Sequence, residues 1–294
     1  MISRRTLLKG AAAAVLGAAG LGSYAFAVEP RFRLVTTRNE IALPGWPKGH
    51  GPLRIVAISD PHFCEPWMPL DRLDAIVDLA NDMEPDVIVL LGDYQPGLQH
   101  FRTGTYKPAQ YVKRLERLRA RHGVHAILGN HDWWTRPAEV RAAFAGSSIN
   151  LMENDVVRIS RADGDYWIAG TASMIAIPLG RNRYEGRDDL PGTLAKVEGD
   201  DPVLLLAHEP DIFVRVPDRV ALTLSGHTHG GQVRLPFLGR PVVPSQYGQR
   251  FAYGHIVEEG RHLLVSGGLG CSILPVRFGV PPELNEIVIR SSQN

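Results

Sequence analysis

One stretch decides the fold of this chain: Ser225-Gly226-His227-Thr228-His229-Gly230-Gly231-Gln232. It directly follows Val220-Ala221-Leu222-Thr223-Leu224, a short apolar run that predicts a buried strand. Two histidines two positions apart at a strand end can point to the same side, and imidazole is a common ligand of borderline metals. A His-x-His pair in a loop is also compatible with a solvated pair. The interpretation therefore depends on partners from elsewhere in the chain.

Four further apolar runs end in side chains of the same kind. With the opening stretch they make five strand ends, which carry Asp60 with His62, Asp93, Asn130 with His131, His208, and His227 with His229. Taken singly, each has a plain alternative, such as a capping aspartate or a turn residue. Because ligands bind at the carboxyl ends of strands in open α/β sheets, we expect the five to meet. A set of nitrogen and oxygen donors without cysteine suits Mn, Fe or Zn.

The remaining pattern predicts helices that alternate with strands, and then an antiparallel section. Helices are expected over about residues 70–82, 108–121, 137–145 and 188–197, antiparallel strands over 156–159 and 166–170, and later strands over 203–207, 262–266 and 286–289. Between them, the loop of residues 178–189 carries Arg181, Arg183 and Arg187. This loop is either a plain surface insertion or a lid whose arginines bind an anionic substrate.

Composition indicates a globular chain and gives no sign of a nucleic-acid partner. The chain has 294 residues, 44% of them hydrophobic, which suits one large globular domain or two small ones. The net charge of +1 gives no reason to expect a nucleic-acid partner. Cys64 and Cys271 are the only cysteines, and without a spacing pattern their pairing stays open.

The first 27 residues are interpreted as a targeting segment. The twin-arginine export signal of bacteria resembles the stretch Ser3-Arg4-Arg5-Thr6-Leu7-Leu8-Lys9. A weakly apolar run follows it, and then comes Ala25-Phe26-Ala27, which fits a small-x-small cleavage site. The alternative is an uncleaved membrane anchor, since the run is long enough to span a bilayer. We expect the twin-arginine translocation machinery as a partner, and the periplasm or outer face of the cytoplasmic membrane as the location. Residues 28–52 are interpreted as a connector and leading segment, and 53–294 as the main domain.

The motifs together resemble those of the calcineurin-like metallophosphoesterases. The matching residues are Asp60-x-His62, Gly92-Asp93, Gly129-Asn130-His131-Asp132, His208 and Gly226-His227-Thr228-His229. Within that superfamily, three stretches look like the bacterial branch of membrane-associated or twin-arginine-exported phosphoesterases. They are Ala207-His208-Glu209-Pro210-Asp211, the stretch from Gly226 to Gln232, and Gly267-Gly268-Leu269-Gly270. The resemblance runs from about Leu53 to Ile289.

This resemblance implies an α/β fold of two face-to-face mixed β-sheets flanked by helices, and two divalent metal ions. By position, the first ion would be held by Asp60, His62, Asp93 and His229. The second would be held by Asp93, Asn130, His208 and His227. Asp93 would bridge the two ions, and His131 matches the family's catalytic histidine that is not a ligand.

The chemistry of such a pair is hydrolysis of phosphate esters. Two cations about 3.5–4 Å apart stabilise both the attacking and the leaving oxygen, and they lower the pKa of bound water toward about 7. His131 can stabilise the phosphorane-like transition state or protonate the leaving oxygen. The resemblance favours phosphodiesters or pyrophosphate-linked envelope lipids, with UDP-diacylglucosamine as a candidate and association with a membrane surface. A phosphomonoesterase or nucleotidase with the same metals, and a metal-binding scaffold with an inactive site, are the alternatives.

Overall fold

Two six-stranded mixed sheets form the centre of the computed structural model, which describes residues 3–292. The first sheet contains, in spatial order, β1 (Val35–Leu43), β16 (Glu283–Ser291), β2 (Leu53–Ile58), β4 (Val87–Leu90), β6 (Val124–Ala126) and β7 (Asn150–Leu151). The second contains β14 (Gly254–Glu258), β15 (Arg261–Val265), β13 (Val220–Ser225), β12 (Val203–Leu206), β9 (Tyr166–Gly170) and β8 (Asp155–Ile159). Two small sheets pair β3 (Cys64–Glu65) with β5 (Gly104–Thr105), and β10 (Ile177–Gly180) with β11 (Arg183–Glu185).

The two large sheets pack face to face, as predicted. Side chains alternate along β2, so that Leu53 and Ile55 point toward the second sheet while Val56 and Ile58 point away from it. Leu204 and Leu206 of β12 face the first sheet across this layer. The buried apolar layer between the sheets therefore holds them together, which is the expected α/β architecture of two mixed sheets flanked by helices.

The helices over residues 70–82, 108–115 and 137–145 cover the outer face of the first sheet. The α-helices are α1 (Arg4–Ser23), α2 (Glu29–Phe32), α3 (Leu70–Asp82), α4 (Pro108–Leu115), α5 (Asn130–Trp134), α6 (Pro137–Ala145) and α7 (Leu190–Leu194). The expected helix over residues 70–82 is present with the same bounds, and its apolar side packs on the sheet through Leu73, Ile76 and Val77.

Three predicted elements differ from the observed ones. The helix expected over residues 108–121 ends at Leu115, because the Asn81 side chain bonds the backbone of Arg117 and Arg119 in place of helical partners. The helix expected over 188–197 is limited to α7. The last strand, expected over 286–289, is longer because it pairs with β1 on one side and β2 on the other.

Residues 28–52 contribute to the fold directly. The strand β1 pairs in parallel with β16 along its whole length, from Val35 to Leu43. Ile41 and Leu43 are buried in the layer between the sheets, together with Trp46. Much of the segment interpreted as a connector is therefore an edge strand of the first sheet.

The N-terminal helix docks on the domain with its last turns. The α1 helix continues through a π-helical turn, Tyr24–Val28, into α2, and the continuous helix Arg4–Phe32 is long and apolar enough to cross a membrane by length and composition. The backbone N–H of Arg277 donates to the carbonyl of Ala25 at 3.0 Å, and Glu29 is buried. The small-x-small sequence expected as a cleavage site thus lies inside a continuous helical segment, with Ala25 buried against the domain.

The two cysteines are buried free thiols. Cys64 and Cys271 belong to one apolar cluster with Leu98, and Trp67 packs against it. The sequence left their pairing open, and the structure forms no disulfide between them.

Candidate metal centre

The predicted ligands converge at one edge of the double sheet. Each lies within a few residues of the carboxyl end of its strand: β2, β4 and β6 in the first sheet, and β12 and β13 in the second. Three groups could each hold a metal ion, with ligand atoms within 4.8 Å of one another: Asp60, His62 and His229; His62, Asp93 and His131; and Asp93, His208 and His227. The structure therefore brings the predicted aspartate and histidine ligands together in overlapping groups.

Sharp backbone turns point these side chains inward. Five of them have left-handed φ angles: Asp60 (51°), His62 (48°), Asp93 (59°), His227 (69°) and His229 (52°). Non-glycine residues rarely adopt this conformation, which costs on the order of 1–3 kcal/mol each and clusters at functional sites. Hydrogen bonds between the loops hold the turns, because the Asp60 N–H donates to the Gly92 carbonyl and the His62 N–H donates to the Asp93 carbonyl.

Two glycines leave room for this convergence. A Cβ at Gly226 would collide with the Ser59 hydroxyl and the Asp60 carboxylate. A Cβ at Gly129 would collide with Asp93 and His208. The glycines next to the histidine motifs are therefore required by the close approach of the backbone to the carboxylates.

Backbone carbonyls orient two of the histidines. Nδ1 of His62 donates to the carbonyl of Gln95 at 2.7 Å, and Nδ1 of His208 donates to the carbonyl of Leu91 at 2.7 Å. Their Nε2 atoms then face Asp93 Oδ2, at 3.5 Å for His62 and 3.3 Å for His208. This arrangement fixes the tautomer that a metal-binding imidazole needs.

The Asn130 amide completes the second group. Its Oδ1 atom lies 2.9 Å from Nδ1 of His227 and 3.2 Å from Nε2 of His208. An amide oxygen adds a neutral donor to a site that already holds carboxylates. The structure thus places Asn130 where the sequence predicts a ligand.

The electrostatics of the cluster suit a cation. Burial raises the pKa of Asp60 to about 6, and it lowers the pKa of His62 and of His227 to about 3. Burial raises the pKa of Asp93, but His208 and His131 outweigh it and hold that pKa well below its usual value. Burial lowers the pKa of His208, but Asp93 outweighs it and holds that pKa well above the usual value. Buried carboxylates among imidazoles are the donor set that Mn, Fe or Zn accepts, once His208 has released its proton.

His131 lies beside the ligands. Its backbone N–H donates to Asp93 Oδ1 at 2.8 Å, and its ring centroid is 4.8 Å from that of His62. Nε2 of His131 lies 3.4 Å from the Ser272 hydroxyl, and the Trp134 ring is 5.0 Å away. Burial lowers the pKa of His131, with Asp93 opposing that shift. The side chain is only half-buried, so it forms part of the open rim of the site.

Comparisons with known proteins agree with this site. Residues 53–231 match the family model of the calcineurin-like phosphoesterases. The chain is 34% identical to the uncharacterized metallophosphoesterase YkuE of Bacillus subtilis (strain 168), over 99% of each chain. The chain belongs to the calcineurin-like phosphoesterase family.

Two further relatives belong to different kinds of organism. The chain is 28% identical to phosphodiesterase YaeI of Escherichia coli (strain K12), over 97% of this chain and 98% of that protein. It is 30% identical to the transmembrane protein with metallophosphoesterase domain of Bos taurus, over 87% of this chain and 57% of that protein. Calcineurin-like phosphoesterases use two divalent metal ions, and the cluster of histidines and aspartates in this chain can bind them.

The predicted arginines lie on a hairpin next to this phosphoesterase site. Arg183 is in β11, Arg181 is in the turn between β10 and β11, and the side chains of both are exposed. Tyr184 stacks on Trp134 with ring centroids 5.5 Å apart, so the hairpin packs beside His131. Arg187 follows the hairpin, and its guanidinium pairs with Glu185 at 3.0 Å.

Asp132 supports the phosphoesterase site, and its role becomes visible in the structure. Its carboxylate accepts hydrogen bonds from the backbone N–H groups of Gly129, Asp93, Tyr94 and Gln95, at 2.8–3.0 Å. It therefore locks the Asp93 loop to the short helix α5. An acidic residue three positions after an N-cap glycine is a capping signal that could have identified it.

Arg277 is a second supporting residue. Its fully buried guanidinium donates to the carbonyls of Gly267, Gly270 and Val280, and Nη2 lies 3.3 Å from Nδ1 of His229. Within the sequence it is one arginine among many, in a segment without a recognisable motif. No local signal could have identified it, since its partners lie in other loops.

Proposed function

We propose that this chain hydrolyses phosphodiester or pyrophosphate bonds at a centre of two divalent metal ions. One observation carries the proposal: the predicted donors from both sheets converge in three overlapping groups, the first two sharing His62 and the last two sharing Asp93. The carboxylates of Asp60 and Asp93 are buried there. Within the described residues their ion-pair partners are histidines, and neither carboxylate pairs with a lysine or an arginine. Such a site leaves unbalanced negative charge that divalent cations would neutralise.

The donors divide between two ions. Asp60, His62, Asp93 and His229 would hold the first ion. The second ion would be held by Asp93 together with Asn130, His208 and His227. When bound, the ions would supply a nucleophilic hydroxide at neutral pH and neutralise phosphate charge.

The chain's own residues would position the substrate and handle the proton. His131 lies next to the proposed ligands and is partly exposed, so its imidazole can hold a proton for the leaving oxygen. The Trp134–Tyr184 stack forms a wall beside it, and the hairpin arginines Arg181 and Arg183, with Arg187 after them, supply positive charge for an anionic substrate.

We infer that the protein works at the cell envelope. Arg4, Arg5 and Lys9 precede the apolar part of the N-terminal helix, and basic residues favour the cytoplasmic side of a membrane. The domain would then lie outside, after passage through the twin-arginine machinery. Because the last turns of the helix are packed on the domain, the helix would serve as a retained anchor rather than a cleaved signal.

An envelope location favours lipid-linked substrates. The relative in E. coli is named a phosphodiesterase, which supports a diester over a monoester. A pyrophosphate-linked lipid such as UDP-diacylglucosamine combines the cleavable bond with a membrane location. A phosphomonoester or nucleotide is the alternative substrate, since the same centre can hydrolyse both.

The test uses the full chain in detergent, stripped of metal and reloaded with Mn²⁺, Fe²⁺, Zn²⁺ or Mg²⁺ in turn. Hydrolysis of bis(p-nitrophenyl) phosphate is compared with that of p-nitrophenyl phosphate. We expect metal-dependent cleavage that favours the diester. The variant His255→Ala is the matched control for replacement of a histidine in the metal centre. It should keep this activity, since His255 is an exposed histidine on β14.

Two results would contradict the proposal. Preference for the monoester would indicate a phosphomonoesterase or nucleotidase. Two bound ions without hydrolysis of either ester would favour a metal-binding scaffold with an inactive site.

A further inference from the structure

Two exposed apolar loops lie at the rim of the metal centre. The first, residues 235–242, carries Phe237, Leu238 and Val242, whose side chains are 107%, 73% and 69% exposed. The second carries Ile273 and Leu274, which are 76% and 43% exposed. We call them the two apolar loops. Large apolar side chains grouped at a surface indicate a partner, because leaving them in water is unfavourable.

The backbone holds two of these side chains outward in a strained conformation. Phe237 and Ile273 both have a φ of +65°. A bulky or β-branched residue in the left-handed region is an outlier, and such strain marks functional positions. Glycine would relieve the strain at either position, yet the chain places an exposed apolar side chain at each.

Hydrogen bonds connect both loops to the rim of the metal centre. Arg240 of the first loop donates through Nε to the Gly230 carbonyl at 2.8 Å, next to the proposed ligand His229. The Gln232 side chain bonds the backbone of Ser272 in both directions, with its Nε2 3.1 Å from the Ser272 carbonyl and its Oε1 2.7 Å from the Ser272 N–H. Gln232 lies three residues after the proposed ligand His229. The Ser272 hydroxyl in turn lies 3.4 Å from His131.

The end of the N-terminal helix joins the same surface. Tyr24 packs edge-on against Phe278, with ring centroids 6.4 Å apart. Phe278 pairs with Val233 in an isolated β-bridge, and its carbonyl accepts from the N–H of Arg234. The next residues along the chain form the first apolar loop. The helix therefore leaves the domain beside this loop.

The length of the helix leaves little room between the domain and a bilayer. The run without charged residues extends from Gly10 to Val28, about 19 residues or about 28 Å of helix. The hydrocarbon core of a bilayer is about 30 Å thick, so the whole run is needed to cross it. Since Ala25 already contacts the domain, the domain surface around the helix must touch the bilayer.

Charge at this surface suits anionic lipid. No acidic residue occurs from Arg219 to Val257, and none occurs from Gly260 to Pro282. Arg234 is exposed next to the first apolar loop, and the partly exposed Arg240 lies within it. Arginines beside inserted apolar side chains are typical of surfaces that bind anionic membranes.

We propose that the two apolar loops rest on the bilayer that the N-terminal helix crosses, with Phe237 and Ile273 inserted among anionic headgroups. The rim that carries His131 then lies at the lipid interface, where the phosphate of a membrane-embedded diester would be within reach. That orientation rests on the proposed function. The contact of the loops with lipid does not depend on turnover.

The test places a fluorophore at each loop of the full chain in lipid nanodiscs that contain phosphatidylglycerol. Phe237→Cys and Ile273→Cys are labelled with bimane. The parent protein, treated with bimane in the same way, serves as the blank because its own cysteines are buried. The matched control is Val257→Cys, a 53% exposed apolar position on β14. Val257 pairs with His262 near the start of β15, at the end of the sheet away from the metal centre.

We expect doxyl-labelled phospholipid to remove most of the fluorescence at positions 237 and 273 and little of it at 257. Nanodiscs of phosphatidylcholine alone should give weaker quenching at the two loops, because the arginines lose their anionic partner. Equal quenching at all three positions, or none at 237 and 273, would overturn the proposal. If both labels become buried in lipid-free detergent as the protein concentration rises, the proposal is also overturned. The two loops would then contact a second copy of the chain rather than lipid.

The assay separates the two proposals. Quenching at the loops in a protein that hydrolyses no ester would support the membrane contact and refute the phosphodiesterase. Hydrolysis without quenching at the loops would support the phosphodiesterase and refute the membrane contact.

Discussion

Replacing Arg277 with lysine should destabilise the domain and weaken metal binding at the same time. The guanidinium is fully buried and donates through Nε to Gly270, through Nη1 to Val280 and through Nη2 to Gly267, at 2.9–3.0 Å. The carbonyls of these residues lie on different sides of the planar fork. A lysine ammonium is a point charge on a flexible stem and cannot reach all three at once.

The magnitude follows from the number of bonds lost. Hydrogen bonds to a charged group contribute roughly 1.5–3 kcal/mol each, and Arg277→Lys would lose about two of them. Partial relaxation and water entry reduce this sum, so we expect a loss of about 2–4 kcal/mol in the free energy of unfolding. Because the Gly270 N–H donates to the Asp60 carbonyl and Nη2 approaches His229, Mn²⁺ affinity should fall by about 10–100-fold.

Urea unfolding of the metal-free full chain in detergent measures the first quantity, and titration with Mn²⁺ measures the second. Arg219→Lys is the matched control, since Arg219 makes one exposed bond to the Gly199 carbonyl, and we expect a change within about 0.5 kcal/mol. An Arg277→Lys protein that unfolds like the control and binds Mn²⁺ with unchanged affinity would refute the reasoning.

The remaining predictions concern the metal centre and export. His131→Ala should fold and keep two ions by metal analysis while turnover falls by about 10²–10⁴-fold; full activity would remove His131 from the mechanism. Asp93→Asn should lose metal, since one carboxylate would serve both ions, and a variant that keeps both ions would contradict the sharing. Burial lowers and Asp93 raises the pKa of His208, with a net increase, so the metal-free protein should carry a proton there at pH 7. Metal binding should therefore release protons and strengthen as pH rises, which calorimetry in buffers of different ionisation enthalpy measures; heats independent of the buffer would contradict this. Changing Arg4 and Arg5 together to lysine should block export, and unchanged localisation by cell fractionation would argue against the twin-arginine route.

Much of the candidate site could be predicted because its signals are local. Each ligand stands just after a short apolar run, and the carboxyl ends of parallel strands meet at one edge of a sheet. Asp60, Asp93 and His208 were identified in this way, and the structure brings them together. The helix over residues 70–82 was equally accessible, because its apolar spacing and Pro85, three residues after its end, are visible in the sequence.

Elements whose bounds depend on distant partners were predicted less well. The helix α4 ends early because Asn81, about 36 residues away, bonds the backbone of Arg117. The strand β1 is half-exposed and gains its pairing from β16, at the other end of the chain. Neither contact leaves a periodic pattern in its own segment.

The sequence by itself determined which residues are candidate donors, which strands carry them and that the N-terminal segment is apolar. Only the tertiary structure showed that Arg277 supports His229, that Tyr184 packs against Trp134, and that the end of the N-terminal helix packs against Phe278. The physical reason is range. Periodicity and strand-end chemistry act over a few residues, whereas the packing that positions a buried guanidinium or a docked helix joins residues up to about 250 positions apart.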